Sequence, residues 1–205
     1  MTLDTDGLMT LAPVIPVLVI EDPADARPIA EALVAGGIYA LEVTLRTPAA
    51  LEVIQEMANV EGAVVGAGTV VTETQLRDAV LAGARFMVSP GLTEPLAKAV
   101  IETGLPYLAG VATGSDIMRG LALGLTRFKF FPAEANGGIP ALQALAGPFY
   151  QCRFCPTGGV NPGNATAWLE LPSVACVGGS WLVPKGPVDR ETITANARQA
   201  AGLIG

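Results

Sequence analysis

The chain has no histidine among its 205 residues. Ser-His-Asp and Cys-His catalysis and histidine-bearing metal sites are thereby excluded. Cysteine is scarce: Cys152, Cys155 and Cys176. The C-x-x-C spacing of the first two suits redox chemistry at a helix N-terminus, but CRFC lies in an apolar, aromatic run. On a strand, residues three apart point to opposite faces, so these two thiols should not meet and read as core. Basic charge is also in deficit, with 12 Lys+Arg against 19 Asp+Glu and a net charge of −7, which argues against nucleic acid or an anionic membrane as partner. There is no run of eighteen apolar residues to span a bilayer. The acidic start, MTLDTDGLMT, lacks a charged n-region with an apolar core, so a cytoplasmic protein is expected. Neither G-x-x-x-x-G-K-[ST] nor G-x-G-x-x-G after the first strand occurs, which leaves the nucleotide-binding α/β folds without support.

What remains is a chain with 51% hydrophobic residues, long enough for one domain with a sizeable core. Its high hydropathy suggests some apolar surface buried between subunits. After a short helix near Leu3 to Leu11, one pattern recurs. Strand candidates begin near residues 14, 39, 62, 85, 106, 127, 152 and 173, spaced by 21 to 25 residues, and each leads into a helical stretch. Alternating strands and helices give a parallel sheet, and eight such units predict one (β/α)8 TIM barrel over residues 1–205 with a short N-terminal helix. An open doubly wound sheet is the alternative. Pro16, inside the first strand VIPVLVI, departs from the rule that a central strand cannot spare an N–H. Asn161-Pro162 reads as the N-cap and first residue of a helix reaching Leu169.

In such barrels functional residues gather at the carboxyl ends of the strands. The second strand, YALEVTLR, places Tyr39, Leu41, Val43 and Leu45 toward the helices and Ala40, Glu42, Thr44 and Arg46 toward the interior. Buried polar groups are costly, so this row marks either a Glu42–Arg46 ion pair or a site. In the sixth strand, RFKFF, Phe128 and Phe130 facing the helices turn Lys129 and Phe131 inward. A lysine on an edge strand would only deter aggregation. An amine held among apolar groups loses hydration, which lowers its pKa and makes it a nucleophile able to form a Schiff base. Thr157-Gly158-Gly159 and Gly178-Gly179-Ser180 end the last two strands, where barrels often bind phosphate through backbone N–H groups. Each is otherwise a plain turn, as are Gly66 to Thr69 and Ser89-Pro90-Gly91.

Six ordered stretches, LEVTLRT (41–47), VGAGTV (65–70), SPGLTEP (89–95), RFKFFPAEANGG (127–138), RFCPTGGV (153–160) and VGGSWLV (177–183), together resemble the KHG/KDPG aldolase family. The resemblance runs from about Pro13 to Pro184. It implies a (β/α)8 barrel, commonly a homotrimer, with no metal and no cofactor. It implies a class I aldolase that splits 2-keto-3-deoxy-6-phosphogluconate into pyruvate and glyceraldehyde 3-phosphate. Lys129 would form the imine and Glu42 would be the general acid/base; Arg46 and Thr69 would hold the pyruvate carboxylate, with Phe131 beside the reacting carbons. Thr157, Gly158, Gly159, Gly179 and Ser180 would take the aldehyde fragment and its phosphate. Asp116 stands where relatives often have Glu and receives no role. The galactonate epimer or 4-hydroxy-2-oxoglutarate as main substrate, and a silent phosphate-binding or assembly barrel, stay open beside this.

Overall fold

Eight short parallel strands carry the fold in the computed structural model, which describes residues 3–203; the outermost positions of the expected 1–205 domain lie outside the described residues. The strands are β1 (Val14–Leu18), β2 (Ala40–Thr44), β3 (Val64–Gly68), β4 (Met87–Val88), β5 (Tyr107–Val111), β6 (Arg127–Phe130), β7 (Arg153–Pro156) and β8 (Val177–Gly179). Helix α1 (Thr5–Met9) precedes them. The others follow one strand each: α2 (Ala26–Ala35), α3 (Ala50–Ala58), α4 (Glu73–Leu81), α5 (Glu94–Thr103), α6 (Gly114–Ala122), α7 (Gly138–Ala146), α8 (Ala165–Leu169) and α9 (Arg190–Ala201). Consecutive strands from β1 to β7 are neighbours and β8 lies beside β1. Bridges Phe154↔Val174 and Thr157↔Gly178 close β7 onto the β8 segment. The result is the expected (β/α)8 barrel, and that closure rules out an open doubly wound sheet.

Local chemistry explains the element ends. Thr72 caps α4 by accepting from the Gln75 N–H, Asp189 caps α9, and α5 stops at Gly104 in a left-handed conformation. Thr113 and Asp116 form a capping box at α6, which gives Asp116 a structural task. Some boundaries differ from those the sequence suggests. Helix α8 begins at Ala165, because Asn161 spends its side chain on a turn, accepting from the Gly163 N–H at 2.9 Å. Tyr39 precedes β2 and is 40% exposed rather than packed under helices. Pro16 falls at the last β8 pairing, just before pairing with β2 begins at Val17, so its missing donor sits where one ladder hands over to the other.

The described residues form two apolar clusters. The larger lies between strands and helices and includes Leu41, Val43, Phe128, Phe130 and Phe154. The smaller fills the barrel interior, where Ile15, Phe86, Val88 and Leu108 meet Leu8 and Met9 of α1. Helix α1 is anchored by Asp6 on the Arg127 guanidinium and by Thr5, whose hydroxyl accepts from the Tyr107 N–H. Both anchors are first residues of strands, so α1 stoppers the N-terminal mouth and leaves the C-terminal mouth open. Cys152 belongs to the outer cluster and Cys155 to the inner one, on opposite faces as expected, and all three thiols are free and buried. Cys176 lies beside Cys155 in the inner cluster, and this neighbour together with burial pushes its thiol well above the ordinary range. No helix among the described residues is long and apolar enough to cross a membrane.

Candidate active site at the open end of the barrel

The polar interior begins with Glu42 on β2 and Lys129 on β6. Both side chains leave the inner face, because Leu41 and Val43 on one strand and Phe128 and Phe130 on the other are claimed by the outer core. Lys129 Nζ lies 3.1 Å from Glu42 Oε1, with the residues 6% and 3% exposed. A carboxylate therefore compensates the amine: strand alternation turns both groups into one interior, and the closed barrel pairs them. The pairing also replaces the Glu42–Arg46 ion pair: Arg46 lies beyond the end of β2, exposed, with its Nε donating to Thr44 Oγ1 at 3.3 Å. Thr44 is buried and donates to the Leu18 carbonyl at 2.8 Å, tying β2 to β1 beside the pair.

The walls come from strand ends. Gly68 closes β3 against Glu42, leaving no room for a side chain, since a Cβ there would fall 2.2 Å from Oε1. Thr69 follows with φ of 59°, a left-handed conformation that costs a β-branched residue of order 1–3 kcal/mol and is typically kept at functional positions. The Phe131 ring sits 5.4 Å from Lys129 Nζ on one side. On the other it lies against Gly158, where an added Cβ would be 3.4 Å from the ring. Phe131 thus joins the ion pair to the glycine loop. Asp116 stays at the rim of this mouth, in its helix cap.

Gly158 and Gly159 take φ of 97° and 83°, a succession that side chains other than glycine resist. Neither N–H makes a hydrogen bond among the described residues, so both can meet an anion. Thr157 is buried and its hydroxyl donates to the Cys155 carbonyl at 3.3 Å. It fits only because Gly178 on β8 has no side chain. Gly179 is buried under the Trp181 ring, and Ser180 is exposed at the rim. The expected helix dipole is a weak contributor, since α8 has only five residues and starts three residues after Pro162. Ser89 is turned to structure: its hydroxyl is 2.7 Å from both the Gly91 carbonyl and the Tyr107 hydroxyl. A cleft of about 220 Å³ between α1 and the starts of β5 and β6 is lined by Tyr107 but by none of the expected site residues.

Two groups went unread in the sequence. Glu134, in the loop after β6, accepts from Asn164 and from the Trp168 indole, and Asn136 donates to the Ala112 carbonyl at 2.8 Å. The only sequence signal was their place in the AEANGG loop behind the lysine strand.

The arrangement offers a buried amine beside one carboxylate, a guanidinium and hydroxyl at the mouth, and free backbone donors about an aromatic wall. It suits a covalent imine with proton transfer at its side, on a ligand with a remote anionic group. The family model for KDPG and KHG aldolase matches residues 5–197. The 2-dehydro-3-deoxy-phosphogluconate aldolase of Zymomonas mobilis is 60% identical over 200 residues, 98% of this chain and 96% of the relative. The KHG/KDPG aldolase of Escherichia coli is 53% identical over 199 residues, 95% and 93% of the two chains. Among solved structures, the 2-keto-3-deoxy-6-phosphogluconate aldolase of Z. mobilis with 3-phosphoglycerate matches at a TM-score of 0.97 and 58% identity, covering 100% of this chain and 98% of that one. KDPG aldolase from Legionella pneumophila, with pyruvate captured at low pH as a covalent carbinolamine intermediate, matches at 0.94 and 47% identity over 97% and 98%.

Proposed function

The chain belongs to the KDPG and KHG aldolase family, and from that premise we propose how its buried ion pair carries the reaction. The protein is a class I, Schiff-base aldolase that cleaves 2-keto-3-deoxy-6-phosphogluconate to pyruvate and glyceraldehyde 3-phosphate. The observation that carries the residue roles is the 3.1 Å approach of Lys129 Nζ to Glu42 Oε1 at the open end of the barrel.

In this reading Glu42 takes a proton from Lys129, and the neutral amine adds to the C2 ketone of the substrate. Glu42 returns the proton to the carbinolamine oxygen, water leaves, and a protonated imine forms. Glu42 then removes the C4-hydroxyl proton, directly or through one water. The C3–C4 bond breaks, its electron pair moves into the imine, and the aldehyde departs. Protonation of the resulting enamine at C3 by Glu42 and hydrolysis of the imine release pyruvate and restore Lys129. Arg46 suits the planar carboxylate because a guanidinium donates two parallel hydrogen bonds, and Thr69 adds a hydroxyl on the same side. Phe131 packs beside the reacting carbons. Thr157, Gly158, Gly159, Gly179 and Ser180 receive the aldehyde fragment and its phosphate, supported by the two unpartnered glycine N–H groups. No metal or cofactor is assigned a step, since the imine serves as the electron sink.

A cytoplasmic homotrimer completes the proposal. Free Cys155 and Cys176 in contact suit a reducing compartment, and exposed Val19, Val71 and Met118 supply apolar surface for subunit contacts. Borohydride reduction in the presence of pyruvate, followed by peptide mapping, tests the core of the reading. The added mass is expected on Lys129, and Lys129→Ala is expected to lose both label and cleavage. Label on another residue, or cleavage persisting in Lys129→Ala, would overturn it. Comparison of kcat/KM for the gluconate and galactonate phosphates and for 4-hydroxy-2-oxoglutarate ranks the substrates.

A further inference from the structure

We propose that Glu134 is a positioning residue for the phosphate-binding loop, holding residues 157–164 in place through the acceptor capacity of one carboxylate oxygen; the proposal rests on the reading of Gly158 and Gly159 as phosphate donors. Glu134 stands four residues past the end of β6, outside the reacting centre. Its N–H donates to the Gly158 carbonyl at 3.0 Å, and the preceding Ala133 N–H donates to the Thr157 carbonyl at 2.8 Å. These two bonds lay the lysine-bearing segment along the glycine loop like a further pair of ladder rungs.

The side chain supplies the second hold. Glu134 Oε1 accepts from Trp168 Nε1 at 2.9 Å and from Asn164 Nδ2 at 3.1 Å. Trp168 is fully buried with its ring 6.3 Å from that of Phe130, the neighbour of Lys129, so its indole N–H has a fixed direction. The Asn164 amide also donates to the Gly159 carbonyl at 3.1 Å, as does Asn161. Carbonyl oxygens of the loop are therefore consumed by internal donors. The Gly158 and Gly159 N–H groups have no such internal partner and stay available, the polarity a phosphate requires. Gly159 is shaped to the same contact, since a Cβ there would fall 2.5 Å from Glu134 Cγ. A carboxylate so close to a phosphate dianion is repulsive in itself, and its oxygen is turned to α8. Acceptor geometry, rather than charge, is what the position supplies.

The test compares Glu134→Ala with Glu134→Gln, whose amide oxygen can still accept from both donors. With phosphorylated substrate, Glu134→Ala is expected to lose about 10- to 100-fold in kcat/KM, mostly through KM. Turnover of unphosphorylated 4-hydroxy-2-oxoglutarate and borohydride trapping of pyruvate should stay within about twofold, and Glu134→Gln should restore the parent values. Should Glu134→Ala not fold, Asn164→Ala is expected to give the same substrate-selective loss. Equal losses with both substrates, no loss with either, or a Glu134→Gln enzyme as impaired as Glu134→Ala would overturn the proposal. Inorganic phosphate as inhibitor separates the two readings. If it fails to compete in the parent enzyme, the phosphate loop itself is misassigned. If it competes equally well in the parent and in Glu134→Ala, only the role of Glu134 falls.

Discussion

Gly68→Ala is the smallest change that should disable the proposed catalytic pair, Glu42 and Lys129, without touching either member. The added methyl would lie 2.6 Å from Glu42 Cγ, 2.7 Å from Cδ and 2.2 Å from Oε1. Carbon atoms pack at roughly 3.5–4.0 Å, so the overlap is about 1 Å along the whole carboxyl end. Gly68 is paired with Thr44 in the β2–β3 ladder, which limits how far β3 can withdraw. If the strands part, the cost is that of overpacking a core, about 1–3 kcal/mol. If Glu42 swings instead, its Oε1 leaves Lys129 Nζ, and separating a buried pair costs about 3–5 kcal/mol when one charge loses its partner. Either route misplaces the carboxylate by about 1 Å, enough for roughly a 100-fold loss of rate. Initial rates of pyruvate release should therefore show kcat down about 100-fold or more, in a protein whose circular dichroism still reports the barrel. Gly147→Ala is the control, because that helix-compatible position offers a new Cβ only an ordinary 3.7 Å contact. A folded Gly68→Ala enzyme with kcat within about threefold of the parent would refute the argument that Glu42 must sit where it does.

Three further outcomes are expected. Glu42→Gln, nearly isosteric but unable to accept a proton, should lower kcat by about 10²–10⁴ while shifting KM less, measured by steady-state kinetics. Thr69→Gly should release the left-handed strain and raise the urea midpoint, a gain of up to about 1 kcal/mol, yet reduce kcat/KM by removing the hydroxyl from the site. At Asp116, burial acts against the ionised form, but the Thr113 hydroxyl, the Ala112 and Thr113 N–H groups and Arg119 outweigh it and hold the carboxyl below its usual 3.8. Because the folded value is the lower one, the unfolded chain binds more protons in this range. The stabilisation is complete above about pH 4 and drains away as pH falls through the folded value. Asp116→Asn should flatten that part of the stability curve, read from urea midpoints between about pH 3 and pH 7.

Much of this site is legible in the chain because a strand repeats every two residues. Alternation in YALEVTLR separates Leu41 and Val43 from Glu42 and Thr44, and in RFKFF it separates Phe128 and Phe130 from Lys129. The recurrence of strand and helix likewise announces a parallel barrel, whose open end can be located before any coordinate is known. Arg46 shows where this reasoning stops. It shares the parity of Glu42, yet β2 ends at Thr44, and past that end the backbone no longer transmits an inward direction. Helix α1 and Glu134 lie outside the strand repeat altogether, so no periodicity points to the mouth that one stoppers or the loop that the other holds.

The sequence alone thus determined which face each side chain leaves from, because that is a property of a few consecutive dihedral angles. Only the closed barrel decided who meets whom. Glu42 and Lys129 are 87 positions apart, and their 3.1 Å approach across the interior depends on the stagger of all eight strands. The same closure brings Cys155 to Cys176 and leaves Arg46 to Thr44. Local chemistry chose the inward residues, and the geometry of closure turned an inward lysine into one half of a buried pair.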